Sequence, residues 1–119
     1  MLDETLAALL TSVQGARAAL LIGSDGIIVA GDGGGGDLPW DLVVASYADL
    51  LRRVGLVNRE AGIEEPTELV VNAPSVTLVI RRVTPEYGLL MALAPCGSLG
   101  RARFELRKAA SRIQPELEG

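Results

Sequence analysis

The sequence predicts an α+β protein of one domain, residues 1–119, built on a single antiparallel five-stranded sheet with helices on both faces. Short apolar runs bounded by turn residues predict the strands, and longer segments of helical periodicity predict the helices. The connections between neighbouring apolar runs are too short for the crossovers that parallel strands need. The predicted order of elements is therefore αββαβββα.

The first elements are a helix and a hairpin. The helix has one apolar face, formed by Leu2, Leu6, Leu9, Leu10 and Val13. Apolar runs over 18–22 and 27–30 then flank the triplet Ser24-Asp25-Gly26. Asp-Gly between such runs is a strong hairpin signal, because glycine adopts positive φ at no steric cost. A glycine-rich loop over 31–37 follows the hairpin.

A middle helix, three strands and a last helix complete the prediction. Asp37 is the predicted N-cap of the middle helix, and Gly62 ends that helix. The strands are predicted over 67–73, 76–83 and 88–94. The last helix is predicted from Leu99 to about Ile113, with a short tail over 114–119. Its buried stripe is Leu99, Ala102, Leu106, Ala109 and Ile113.

The middle helix has apolar residues on two sides. We expect one stripe to pack on the sheet: Val43, Tyr47, Leu50, Val54, Val57 and Ala61. Another set lies nearly opposite, where Leu42, Ala45 and Leu56 stand among Asp49, Arg52 and Arg53. One small domain has nothing left to cover this second side, which indicates an interface. The plainer alternative is a set of scattered surface leucines, which are common.

Composition excludes several classes of function. A net charge of -4 argues against a nucleic-acid partner held by phosphate contacts. A single cysteine cannot form an internal disulfide, so we expect a cytoplasmic protein. No apolar run approaches the roughly 20 residues that span a bilayer, so we expect no membrane insertion. The absence of histidine removes the usual general base and metal ligand.

Gly31, Gly33 and Gly36 match the dinucleotide-binding pattern G-x-G-x-x-G. That site needs a parallel βαβ unit, whereas the strand here is the second arm of a tight hairpin. We therefore expect a flexible connection and no cofactor. Asp32 and Asp37 flank the glycines, but two carboxylates are too few to hold a cation.

The last helix contains five basic residues: Arg101, Arg103, Arg107, Lys108 and Arg112. Such a helix could contact phosphate or anionic lipid, but a solvated face is the simpler interpretation. Phe104 points away from the buried stripe and is a candidate for a contact with another helix. Cys96 precedes this helix without a histidine to activate it, so we expect no catalytic role. No nucleophile-base pair and no metal cluster emerges, and we expect a binding protein without a catalytic site.

The chain resembles the roadblock / dynein light-chain family, and in particular its bacterial MglB-like branch. The resemblance rests on the order of elements, the hairpin G-A-R-x-A-L-L-I-x-x-x-D-G-I-I-V-A and the closing S-L-G-R-A-R-F-E-L-R-K-A-A helix. It covers residues 2–113. The glycine-rich loop and the short C-terminus depart from the family pattern.

The resemblance implies a homodimer that binds a small Ras-like GTPase. In the family, the first of the three later strands pairs with the same strand of a second copy. Here that strand is Leu69, Val70, Val71 and Asn72. The middle helices supply the GTPase-binding face, which here is Leu42, Ala45, Asp49, Arg52, Arg53 and Leu56. A dimeric adaptor without effect on nucleotide turnover is the alternative, and the sequence does not separate the two.

Overall fold

A computed structural model describes residues 2–32 and 38–118, in the predicted order of elements. The helices are α1 (Leu2–Ser12), α2 (Trp40–Glu60) and α3 (Leu99–Glu118). The strands are β1 (Ala16–Gly23), β2 (Ile28–Asp32), β3 (Glu68–Asn72), β4 (Thr77–Arg82) and β5 (Tyr87–Leu93). All five form one antiparallel sheet in the order β2-β1-β5-β4-β3. The predicted fold class is confirmed.

The sheet separates two hydrophobic clusters. Alternate residues of β1 point to opposite faces, so that Leu21 joins one cluster and Leu20 joins the other. On one face, α1 and α3 cover the sheet with Leu6, Leu9, Leu106 and Ile113 among their buried residues. On the other face α2 packs alone, centred on Val44. The apolar stripes predicted for α1 and α3 are confirmed.

The β1–β2 connection is a tight turn over Ser24-Asp25-Gly26. The Gly23 N–H donates to the carbonyl oxygen of Ile27 at 2.8 Å, and the Gly26 N–H donates to that of Gly23 at 2.9 Å. Gly26 has a φ of 86°, the left-handed value that a three-residue hairpin loop needs at its last position. The hairpin prediction is therefore confirmed.

The two edges of the sheet differ. On the β2 edge, Leu21 pairs with Ala30 and Ile22 with Ile28, so Val29 is left unpaired as a bulge. On the β3 edge, pairing with β4 runs without a shift from Glu68 to Asn72. A bulge hinders an edge strand from pairing with another chain, whereas a regular apolar edge strand can pair with one. Of the two edges, β3 therefore has the geometry that suits pairing with another strand.

The predicted core stripe of α2 is correct only in part. Val43 and Tyr47 pack against the sheet as predicted, but the stripe is rotated from the observed contact line. Leu50, Val57 and Ala61 were expected on the sheet and are exposed instead. The buried residues of the helix are Val44, Ala48 and Gly55. Ala48 and Gly55 have almost no side chain, so a prediction based on large apolar residues does not identify them as the contact with the sheet.

Two predicted boundaries were also wrong. The glycine-rich loop begins later than residue 31, because Gly31 and Asp32 belong to β2. Residues 33–37, with the predicted cap Asp37, lie outside the described residues.

The predicted tail is helical, since α3 continues to Glu118 with Pro115 inside it. Proline removes one helical hydrogen bond but does not end this helix. The predicted end of α2 is confirmed, because Gly62 has a φ of 74° and donates to the Arg59 carbonyl oxygen.

Candidate functional site on the middle helix

The outer face of α2 exposes four large apolar side chains: Leu42, Leu50, Leu56 and Val57. We call this set the α2 apolar face. Leu42 and Val57 are each 64% exposed and Leu56 is 56% exposed. The sheet and the other two helices lie on the far side of α2, and nothing in the described chain covers these residues. An exposed apolar cluster of this kind makes this face of the helix a candidate interaction surface.

Sequence reasoning found Leu42 and Leu56 but assigned Leu50 and Val57 to the core. The missed signal was the pair of small residues Ala48 and Gly55, which occur at the seven-residue spacing of a close helix-sheet contact. A stripe centred on them places Leu50 and Val57 outward. The predicted site therefore gains two apolar residues from the structure.

The charged residues of the predicted site form one cluster around a single carboxylate. Asp49 accepts from Arg52 Nη2 through Oδ1 and from Arg53 Nε through Oδ2, the second at 2.8 Å. The three residues lie within one helical turn, at spacings of three and four. Both guanidinium groups remain accessible to solvent. In this arrangement both arginines lie along the helix, paired with Asp49.

The β1–β2 turn lies beside one side of α2, the side that contains Ala45 and Arg52. Arg52 Nη1 donates to the Ser24 carbonyl oxygen at 2.9 Å. A Cβ atom on Gly26 would lie 2.9 Å from the Ala45 Cα, so the turn approaches the helix backbone closely. Ala45 remains exposed, but the turn forms one wall beside it. The hairpin that identified the fold is therefore also part of the candidate surface.

A small open cleft of about 80 Å³ adjoins this side of α2. Ile22, Leu51 and Ile80 supply apolar lining, and Ala48 and Gly88 leave space because their side chains are small or absent. Its carboxylate, Glu65, is bound by Arg82 at 2.9 Å and by Arg59 at 3.0 Å. Because Glu65 is already paired with two arginines and the rest of the lining is largely apolar, the cleft suits an apolar side chain better than a cationic ligand.

The predicted dimer strand lies on the regular edge of the sheet. Leu69 and Val71 point to the α2 side and Val70 points to the α3 side. All three are half-buried, and Asn72 is exposed with its Oδ1 accepting from the Thr77 hydroxyl at 2.9 Å. The edge therefore presents apolar side chains on both faces of the sheet beside its unpaired backbone.

The other candidate motifs lie apart from this surface. Gly31 has a φ of 115° within β2, and a Cβ there would meet the backbone of Ala19 and Leu20. The strand itself therefore requires glycine at position 31. Gly33 and Gly36 lie outside the described residues. Cys96 is exposed before α3. In the described ranges there is no group of three His, Cys, Asp or Glu residues placed to hold a metal, and no helix with the length and apolarity to cross a membrane.

Comparisons with known proteins agree with this architecture. No protein-family model and no curated protein matches the sequence. Among solved structures, Myxococcus xanthus MglB superimposes with a TM-score of 0.88 at 16% identity, over 98% of this chain and 94% of that one. A roadblock/LC7 domain from Streptomyces avermitilis gives 0.82 at 19% identity, over 98% of both chains.

A further similarity adds sequence support to the shared fold. MglC from Myxococcus xanthus is 30% identical to this chain, over 95% of this chain and 96% of that one, with a TM-score of 0.65. Compared with MglC, the MglB and roadblock/LC7 structures above superimpose better on this chain but are less similar in sequence. With the αββαβββα order, the single sheet and these matches taken together, the chain belongs to the roadblock/LC7 family and has an MglB-like fold.

Proposed function

We propose that this protein is a cytoplasmic homodimer that binds a small Ras-like GTPase through the paired α2 helices and modulates its GTP hydrolysis or switch state. The observation that carries the proposal is the exposed α2 apolar face beside the Arg52 and Arg53 cluster. Membership of the roadblock/LC7 family supports a regulatory, GTPase-associated role. The protein would act on the catalytic site of its partner and supply none of its own.

The dimer in this proposal forms through β3. Two antiparallel copies of a regular edge strand can exchange backbone hydrogen bonds and join two sheets into one. The β3 edge has unbroken register and apolar residues, whereas the opposite edge carries the Val29 bulge. Pairing through Leu69, Val70, Val71 and Asn72 would extend the sheet and bring the partner's α2 onto the same face beside this one. These features favour β3 over β2 as the dimer edge.

The arginines favour an effect on the switch loops over direct transition-state contact. An arginine finger extends from its own protein to stabilise the charge on the transferred phosphate. Arg52 and Arg53 both lie along the helix paired with Asp49, and Arg52 also donates to Ser24, so neither extends away from the surface. We therefore propose that the rigid surface orders the GTPase switch loops so that the GTPase's own groups act.

The same arginine geometry supports an alternative, a dimeric adaptor without effect on nucleotide turnover. An adaptor needs the exposed apolar face but no rate effect. A single-turnover GTPase assay with and without this protein distinguishes the two, because regulation changes the rate constant and scaffolding leaves it unchanged.

Binding itself is tested by pull-down of the small GTPase encoded nearest to this protein's gene, loaded with GDP or with a non-hydrolysable GTP analogue. We expect capture in at least one nucleotide state. Leu56→Asp tests whether capture uses the α2 apolar face, and Val29→Asp provides a control at an exposed apolar residue on the bulged β2 edge, away from α2. Absence of capture in both states would contradict the proposal.

A further inference from the structure

The outer face of α3 combines an exposed aromatic ring with an excess of positive charge. Phe104 is 45% exposed and lies on the side of the helix opposite the buried stripe. The five cations of this helix are nearly half of the eleven in a chain whose net charge is -4. The helix also contains Glu105, Glu116 and Glu118, so it has an excess of two positive charges in a chain that is negative overall. This helix lies on the opposite side of the sheet from α2.

The cations next to Phe104 are held in place by a nearly buried carboxylate. Glu105 is 8% exposed and lies 3.3 Å from Arg101 Nη2 and 3.5 Å from Lys108 Nζ. The Lys108 Nζ is 5.2 Å from the centre of the Phe104 ring, and the Arg101 guanidinium carbon is 6.0 Å from it. One carboxylate faces two cations, so this group keeps an excess positive charge beside the ring.

Farther along the helix, two arginines have no ion pair with any described residue. Arg107 and Arg112 are exposed, and with Phe104, Lys108 and Ser111 they line a shallow groove. Ser111 lies two turns after Phe104 on the same side, and its small side chain leaves a notch between the two arginines. Arg103 differs because its Nε is 2.6 Å from Glu68 Oε2, so it belongs to the sheet contact.

We propose that this groove binds an acidic polypeptide segment that contains an aromatic or aliphatic residue. The apolar residue would pack on Phe104 above the Ser111 notch, and flanking carboxylates would pair with Arg107 and Arg112. Arginine matches a carboxylate with two parallel N–H donors, and these two arginines lose no existing ion pair on binding. The protein would then bind two partners at once, one on each side of its sheet.

An acidic polypeptide fits better than the two other anionic partners. Membrane-surface helices insert a broad apolar face, and here Phe104 is the one large apolar side chain exposed on α3 in the described chain. Nucleic-acid binding is dominated by many phosphate contacts, whereas three of the five cations here are already paired with Glu105 or Glu68. A few unpaired arginines around one ring match a short, mixed acidic and apolar segment.

The test is fluorescence anisotropy with the full chain and a short labelled peptide in which glutamates flank one phenylalanine. Its isostere with glutamine in place of glutamate is the matched peptide control. We expect the acidic peptide to bind at low salt, to weaken as salt is raised and to bind at least tenfold more tightly than the glutamine peptide. The double variant Arg107→Gln, Arg112→Gln should weaken binding roughly tenfold, and Phe104→Ala should weaken it several-fold.

Two controls separate this site from other sources of binding. Arg59→Gln removes one exposed cation from the opposite layer and should leave peptide binding unchanged. Retention of the α3 variants' melting temperature shows that the fold is intact, since all three positions are exposed. The proposal is overturned if the acidic peptide does not bind, or if the arginine variant binds as the wild type does. It is also overturned if only phosphatidylglycerol vesicles or duplex DNA are retained by the α3 face.

Discussion

Arg52 donates a hydrogen bond from Nη1 to the Ser24 carbonyl oxygen, 2.9 Å away, and so joins α2 to the β1–β2 turn. The contact is on the surface, where a charged hydrogen bond contributes less than in the interior. Arg52→Ala should lower the free energy of unfolding by about 1 kcal/mol or less. It should also speed amide hydrogen exchange at Gly26, whose N–H closes the turn.

The matched control for this prediction is Arg53→Ala. Arg53 shares the Asp49 carboxylate but, among the described residues, does not hydrogen-bond to the turn, so exchange at Gly26 should remain at the wild-type rate. Equal exchange in the two variants would show that Arg52 does not anchor the turn. Measuring exchange by NMR separates this local effect from a change in global stability, which would speed exchange throughout the sheet.

Gly31→Ala should lower the free energy of unfolding by roughly 2 kcal/mol or more, measured by urea titration. The new Cβ would lie 2.9 Å from the Leu20 Cα in a backbone with a φ of 115°, so it faces both a clash and strain. Gly100→Ala is the control, because it lies in α3 with nothing within 4 Å and alanine favours helix. A Gly31→Ala protein of wild-type stability would contradict a structural role for this glycine.

The fold could be predicted from local signals because they agreed with one another. The Asp25-Gly26 turn, the short connections and the apolar stripe of α3 each indicated the same antiparallel sheet with helices on both faces. The Val29 bulge could not be predicted, since it depends on which residues of β1 lie opposite. The continuation of α3 past Pro115 also escaped prediction, because helix packing offsets one missing hydrogen bond.

The candidate site was predictable in part. Leu42 and Leu56 were identified from their position among charged residues, and both are exposed. Arg52 and Arg53 follow Asp49 by three and four positions, a spacing that predicts ion pairs on a helix. The sequence does not show that the one carboxylate pairs with both arginines. The Ser24 contact joins segments far apart in sequence, and only the folded chain reveals it.

Val71→Lys should convert the proposed dimer to a monomer, observed as a halved mass in light scattering. A lysine on an apolar edge strand places a charge where two copies would pair, which disfavours edge-to-edge association. Val29→Lys is the control, because it puts the same charge on the bulged β2 edge, where Val29 is already exposed. Dissociation by Val29→Lys and not by Val71→Lys would move the dimer interface to the other edge.

Leu56→Asp should leave the fold intact and weaken either GTPase binding or dimerisation by at least tenfold, because it puts a charge within the α2 apolar face. Leu56 is exposed, so the melting temperature should change little. Val44→Asp is the contrasting variant on the same helix, since Val44 is fully buried and an unpaired carboxylate there should unfold the protein. Thermal melts, light scattering and pull-down on the same preparations assign the effect. If Leu56→Asp unfolds as Val44→Asp does, Leu56 belongs to the core, and the α2 apolar face is not the partner surface.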